Sequence, residues 1–131
     1  PKADDMSVNP RVALAFHWKL LYRQVRIEGT ATRLAEEESK EYWDTRPRGS
    51  RLAAWASTQS AEVDRWETLA DRVEHLEANC PDEDIPLPYF WGGYVVEPNR
   101  FEFWLSRPSR LHDRFLYVKN DSGWAISRLQ P

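Results

Sequence analysis

Arg110, His112 and Arg114 recur at every second position near the C-terminus, and Trp104 lies shortly before them. If residues 110–114 form a strand, alternation places two guanidiniums and an imidazole on one face. Such a face suits a flat, anionic ligand that accepts hydrogen bonds. It equally suits a solvated edge strand whose charges discourage pairing with another chain.

A second group is spaced by four: Tyr42, Arg46 and Ser50. A helix, a break and a new helix start would bring a phenol, a guanidinium and a hydroxyl together. With the amides of a helix N-terminus, those groups would hold a phosphate. An ordinary exposed polar face is the alternative. Neutral polar groups occur at Gln24, within an alternating stretch, and at Gln59 and Ser60, where a helix start would present them to a ligand. Plain surface accounts for Gln24 as well.

The elements that must position these residues can be read from periodicity. Residues 11–17 are a short apolar run, expected as a buried strand, followed by a turn at 18–22. Residues 23–34 read as a long strand, with Gln24, Arg26, Glu28 and Thr30 on a polar face and Val25, Ile27 and Gly29 on a buried one. The period changes at 35–45, a helix with acids in its first turn. Arg46 precedes Pro47 and so should end that helix, and Pro47 would open the next as its first residue. Ser60 is the expected N-cap of a helix running to about residue 79. There Val63, Trp66, Ala70, Val73 and Leu76 form a stripe for the core or a subunit contact. After a loop at 81–88, rich in Pro and acids, strands are expected at 89–96, 101–106, 112–119 and 124–129. Pro108 ends one of them, and residues 120–123 form a hairpin turn. Strands, helices, then an antiparallel meander imply an α+β fold with a small barrel-like sheet.

Composition narrows the partners. The 131 residues imply one domain, 41% hydrophobic residues can build a core, and seven Trp suggest a packed aromatic interior or a large interface. A net charge of −3 argues against a general nucleic-acid binder. No apolar run approaches the ~18 residues of a membrane span, and no leader peptide is expected. The single cysteine, Cys80, fits a reducing cytoplasm. No Cys or His pair has metal-ligand spacing, so no metal site is expected.

The run Phe101-Glu-Phe-Trp104, followed after a short gap by Arg110-Leu-His-Asp-Arg114, closely resembles the C-terminal signature of the pyridoxamine 5'-phosphate oxidases. Further motifs fall in that family's order: Arg23-Gln-Val, Thr45-Arg-Pro-Arg, Gln59-Ser, Pro86-Leu-Pro with Phe90-Trp-Gly-Gly, and Arg128-Leu-Gln-Pro. Leu105 departs from the pattern, standing where the family usually has a polar residue or Gly.

The resemblance implies an FMN-binding split β-barrel, antiparallel and Greek-key-like with flanking helices, working as a homodimer with FMN between subunits. Residues 1–131 would be a single flavin-oxidase domain. Residues 1–88 would supply barrel strands and helices, and 89–131 the dimerisation and substrate region. By similarity Gln24, Gln59, Ser60, Trp104 and Arg114 would bind FMN, and Lys2 would help hold its phosphate. Tyr42, Arg46 and Ser50 would grip the substrate phosphate, with Arg110 and His112 against its pyridine ring as the catalytic pair, Arg110 positioning and His112 able to shuttle a proton. The implied reaction converts pyridoxamine or pyridoxine 5'-phosphate to pyridoxal 5'-phosphate, with O2 reduced to hydrogen peroxide. Two alternatives stay open: a related flavin oxidase of phenazine-type biosynthesis, and a non-catalytic module that binds a B6 phosphate or dimerises. Family barrel strands would precede Pro1, and Pro1 stands where the family usually has an Arg. The chain therefore reads as the C-terminal portion of a longer, N-terminally truncated protein.

Overall fold

The computed structural model describes residues 2–80 and 84–131; Pro1 and positions 81–83 of the expected acid-rich loop lie outside the described residues. In chain order the elements are α1 (Lys2–Val8), β1 (Arg11–Trp18), β2 (Arg23–Arg33), α2 (Glu36–Asp44), α3 (Arg48–Ala56), α4 (Trp66–Asn79), β3 (Tyr94–Leu105), β4 (Asp113–Asn120) and β5 (Gly123–Leu129). The fold is α+β, as the order of periodicities implies. It divides into two compact units: residues 1–32 with 94–131, and residues 33–93.

The first unit carries the five-stranded sheet, in the order β1-β2-β3-β4-β5. Among the described strands this is a meander, with no Greek-key crossing. β1 pairs antiparallel with β2 from Arg11 opposite Thr30 to Trp18 opposite Arg23. β4 pairs antiparallel with β3, setting Trp104 opposite Arg114, and with β5, setting Arg114 opposite Leu129. Asn120 and Gly123 close the last hairpin as expected, with Gly123 at φ +130°, a conformation open to glycine.

Alternation in β2 places Gly29 and Ala31 in buried positions, as its sequence requires. Gly29 is needed for another reason: a Cβ there would stand 2.2 Å from the Glu97 carbonyl oxygen, so the strands meet backbone to backbone. β1 differs from the expected buried strand. It lies at the edge of the described sheet, and Leu14, Phe16 and Trp18 remain 39%, 45% and 46% exposed. Among the described residues it has one neighbouring strand instead of two, and its apolar side chains stay partly uncovered. β3 is a single 12-residue strand through Pro98, where two separate strands were expected. Pro98 is tolerated because the ladder to β4 begins at Arg100, so the missing N–H costs no bond in that pairing.

The second unit is built on Trp43, Leu52 and Ile85, all almost fully buried, with Val73, Leu76, Leu87 and Trp91 packed around them. The Trp43 indole N–H donates to the Ile85 carbonyl at 2.7 Å, which satisfies the one polar atom that this ring takes into the core. α2 ends at Asp44 as Pro47 dictates. Pro47 is the N-cap of α3 rather than its first residue. α4 begins at Trp66, six residues after the expected cap. Ser60 instead adopts φ +63° in a turn, a left-handed conformation that stops a helix from starting there. Of the expected stripe, Val73 and Leu76 reach the core, while Trp66 is 74% exposed.

Candidate functional site

Two clusters of the candidate residues form, one in each unit. In the second unit, Arg46, Ser50 and Gln59 line a cavity of about 860 Å³, together with Ser57, Thr58 and Trp91. The break before Pro47 creates this arrangement. Past α2 the Arg46 N–H donates to the Trp43 carbonyl at 3.0 Å, and Ser50 and Arg51 donate their N–H groups to the Pro47 carbonyl, opening α3. Arg46 is thereby laid across the aromatic core. Its guanidinium carbon lies 5.3 Å from the Trp43 ring centre and 5.2 Å from that of Trp91. Its Nη1 is buried without a hydrogen-bond partner among the described residues. Tyr42 is 64% exposed, and its ring stacks on Trp91 at 6.0 Å. Ser60 is exposed in its turn and does not line the cavity.

In the first unit, Trp104, His112 and Arg114 are neighbours. The His112 and Trp104 rings lie 4.7 Å apart, and Arg114 faces Trp104 across β3 and β4. Arg114 donates from Nε to Glu102 at 2.7 Å and from Nη1 to the Gln130 carbonyl at 3.0 Å, so its orientation is fixed. The Arg114 hydrogen bond holds the Glu102 carboxyl below its usual range, and Glu102 raises the Arg114 guanidinium in turn. Gln24 is half-buried on β2, opposite His17. Lys2 is the exposed first residue of α1.

The expected strand face of Arg110, His112 and Arg114 does not form. Residues Pro108–Arg110 make a 3-10 turn in which Ser109 and Arg110 take φ of +58° and +61°. β4 starts only at Asp113. Arg110 is therefore exposed on the turn, and only Arg114 of the three belongs to the strand. The turn is closed by ion pairs that alternation could not show. Asp113 accepts from Arg107 Nε at 2.8 Å and lies 3.6 Å from Arg128. The Arg107 hydrogen bond keeps the Asp113 carboxyl below its ordinary range. The Arg107 backbone N–H donates to His112 Nδ1 at 3.2 Å. In the neutral ring that leaves the proton on Nε2.

Sequence reading missed Trp91, Glu102 and Asp113. Trp91 stands in the Phe90-Trp-Gly-Gly motif, whose signal in the sequence is only its order along the chain. Glu102 shares a strand face with Trp104 by alternation, a hint that it meets whatever lies opposite.

Comparisons with known proteins agree on one family. Residues 1–80 match the family model described as pyridoxamine 5'-phosphate oxidase, and residues 91–131 match the model for the pyridoxine 5'-phosphate oxidase C-terminal dimerisation region. A pyridoxine/pyridoxamine 5'-phosphate oxidase from Rubrobacter xylanophilus is 53% identical over 99% of this chain and 60% of its own length. One from Salinibacter ruber is 52% identical, over 99% and 62% respectively. The chain thus spans about three fifths of these relatives. Among solved structures, PhzG from Burkholderia lata, in complex with tetrahydrophenazine-1-carboxylic acid, superposes with a TM-score of 0.89 at 29% identity, over 99% of this chain and 63% of that one. An FMN-binding, pyridoxamine 5'-phosphate oxidase-related protein from Nostoc punctiforme gives 0.70 at 18% identity, over 99% and 68%, a likeness of fold alone. The shared fold is the split β-barrel.

Proposed function

Because the chain belongs to the pyridoxamine 5'-phosphate oxidase family, we propose that it carries cofactor- and substrate-binding residues of an FMN-dependent oxidase of vitamin B6 metabolism. Pyridoxine 5'-phosphate and O2 would give pyridoxal 5'-phosphate and hydrogen peroxide. Pyridoxamine 5'-phosphate, O2 and water would give the same aldehyde with ammonia and peroxide. The observation that carries this reading is the cavity that Arg46 shares with Ser50 and Gln59, a cation beside hydroxyl and amide groups. A phosphate offers acceptor oxygens to a guanidinium and to hydroxyl donors together.

The residues present fit FMN in kind. Gln24 and Gln59 offer amide donors and acceptors to a flavin's polar edge, Ser60 a hydroxyl, Trp104 an apolar ring and Arg114 a cation whose direction Glu102 fixes. Lys2 would meet the cofactor's phosphate. When bound, FMN supplies the two-electron acceptor that no side chain provides. The chain's own part is to orient and hold. Tyr42, Arg46 and Ser50 bind the substrate phosphate, and Arg110 and His112 lie against the pyridine ring. His112 would present Nε2–H as a donor, since Nδ1 is occupied by the Arg107 N–H. Residues 89–131 serve dimerisation and substrate contact, in a cytoplasmic homodimer.

The test is the visible spectrum after FMN is added and the excess removed, followed by peroxide release on pyridoxine 5'-phosphate. A retained flavin spectrum with turnover supports the reading. A colourless protein that still binds pyridoxal 5'-phosphate would replace it with a flavin-free binding module. The likeness to PhzG favours one second reading, a phenazine-type oxidase. Turnover of a reduced phenazine carboxylate in preference to the B6 phosphates would decide for it.

A further inference from the structure

We propose that Trp91 is a positioning residue for the phosphate grip, holding the Arg46 guanidinium and the Tyr42 ring in place for the ligand. The proposal rests on the reading of Arg46 as a phosphate ligand. Trp91 touches two of the three residues assigned to the phosphate. It stacks on Tyr42 with 15° between the rings, and its ring centre lies 5.2 Å from the Arg46 guanidinium carbon. Trp43 and Trp91 meet edge to face at 5.0 Å and 67°. With the two guanidinium distances this makes a nearly equilateral triangle, so Arg46 sits in the corner formed by two indoles.

The two indoles have different anchors. Trp43 is wholly buried and hydrogen-bonded to Ile85, so it belongs to the core. Trp91 is half-buried, lines the cavity with Arg46 and Ser50, and is set by its own backbone N–H donating to the Pro88 carbonyl at 2.9 Å. A ring face attracts the guanidinium through its quadrupole and needs none of the in-plane N–H donors. The corner therefore restrains the cation without consuming the hydrogen bonds a phosphate would take. A long Arg side chain otherwise loses rotamer freedom on binding, and Trp91 removes part of that cost beforehand.

The experiment compares pyridoxal 5'-phosphate with pyridoxal as ligands of the flavin-loaded protein, taking the ratio of their dissociation constants. Trp91→Met, which keeps apolar bulk but no ring, is expected to cut the phosphate preference roughly tenfold, and Trp91→Phe by about threefold. In an Arg46→Ala background Trp91→Met should change the ratio much less, because only its contact with Tyr42 then remains to act on the phosphate. An equal weakening of both ligands in Trp91→Met would overturn the proposal, and so would an undiminished effect in the Arg46→Ala background. Should Trp91→Met fail to fold, an unchanged ratio in Trp91→Phe overturns it instead. If Arg46→Ala alone leaves the ratio unchanged, the phosphate assignment beneath the proposal is what fails.

Discussion

Replacing Gly29 with Ala should destabilise the protein, although the usual effect of that change in a strand is the opposite. Gly29 does not adopt a left-handed backbone, so Ala meets no conformational strain there. The smaller unfolded-state entropy would favour Ala by about 0.5–1 kcal/mol. Against this, the new Cβ would lie 2.2 Å from the Glu97 carbonyl oxygen and 2.9 Å from both the Glu97 carbonyl carbon and the Pro98 Cα. All three are backbone atoms, which cannot swing aside as a side chain would. β2 and β3 would have to part by most of an ångström, and β2 carries Gln24 while β3 carries Trp104. Overpacking of this kind costs about 1–3 kcal/mol, and contact with main chain puts it toward the upper end. The net loss is then about 1–2 kcal/mol. With a urea m-value of about 2 kcal/mol/M, the unfolding midpoint followed by tryptophan fluorescence should fall by roughly 0.5–1 M. Gly49 is the control: it lies in α3 with nothing within 4 Å of its added Cβ, so Gly49→Ala should raise the midpoint slightly. An unchanged or raised midpoint for Gly29→Ala would refute the close approach of the two strands.

Trp43→Phe should cost about 1–3 kcal/mol in urea unfolding, because the buried Ile85 carbonyl loses its donor; a smaller loss would mean water reaches that carbonyl. Glu102 has its carboxyl pKa lowered by Arg114, so its contribution is complete above the ordinary carboxylate range near ~4.3 and fades as pH falls through the lower folded value. Glu102→Gln should therefore destabilise at neutral pH and converge with the parent in acid; a pH-independent difference would contradict the ion pair. Arg110→Ala should reduce turnover while flavin content, read from the visible spectrum, stays nearly intact, since Arg110 projects from a turn instead of the strand. Equal loss of both would remove it from the substrate side. Nitrogen NMR of neutral His112 should show the proton on Nε2, and a proton on Nδ1 would exclude the bond from Arg107.

Local rules carried much of the fold. Alternation marked β2 and its buried face, Asn120 and Gly123 marked the last hairpin, and the Arg46-Pro47 step marked the end of α2, because each depends on the steric preferences of a few consecutive residues. The cavity that Arg46 and Ser50 share was legible for the same reason, their spacing bridging a break that Pro47 imposes. Tertiary structure decided the rest. Alternation would put Arg110 and His112 in a strand, but the ion pairs of Asp113 with Arg107 and Arg128 close a turn there. Those partners are distant in sequence or hidden by the turn's own geometry. The capping pattern at Ser60 lost to a left-handed turn, and α4 began later. Trp91 reaches Arg46 across 45 positions, a contact no periodicity encodes. Spacing along a chain reports which residues share a face, whereas the side chains that orient them come from elsewhere in the sequence and meet only when the core closes.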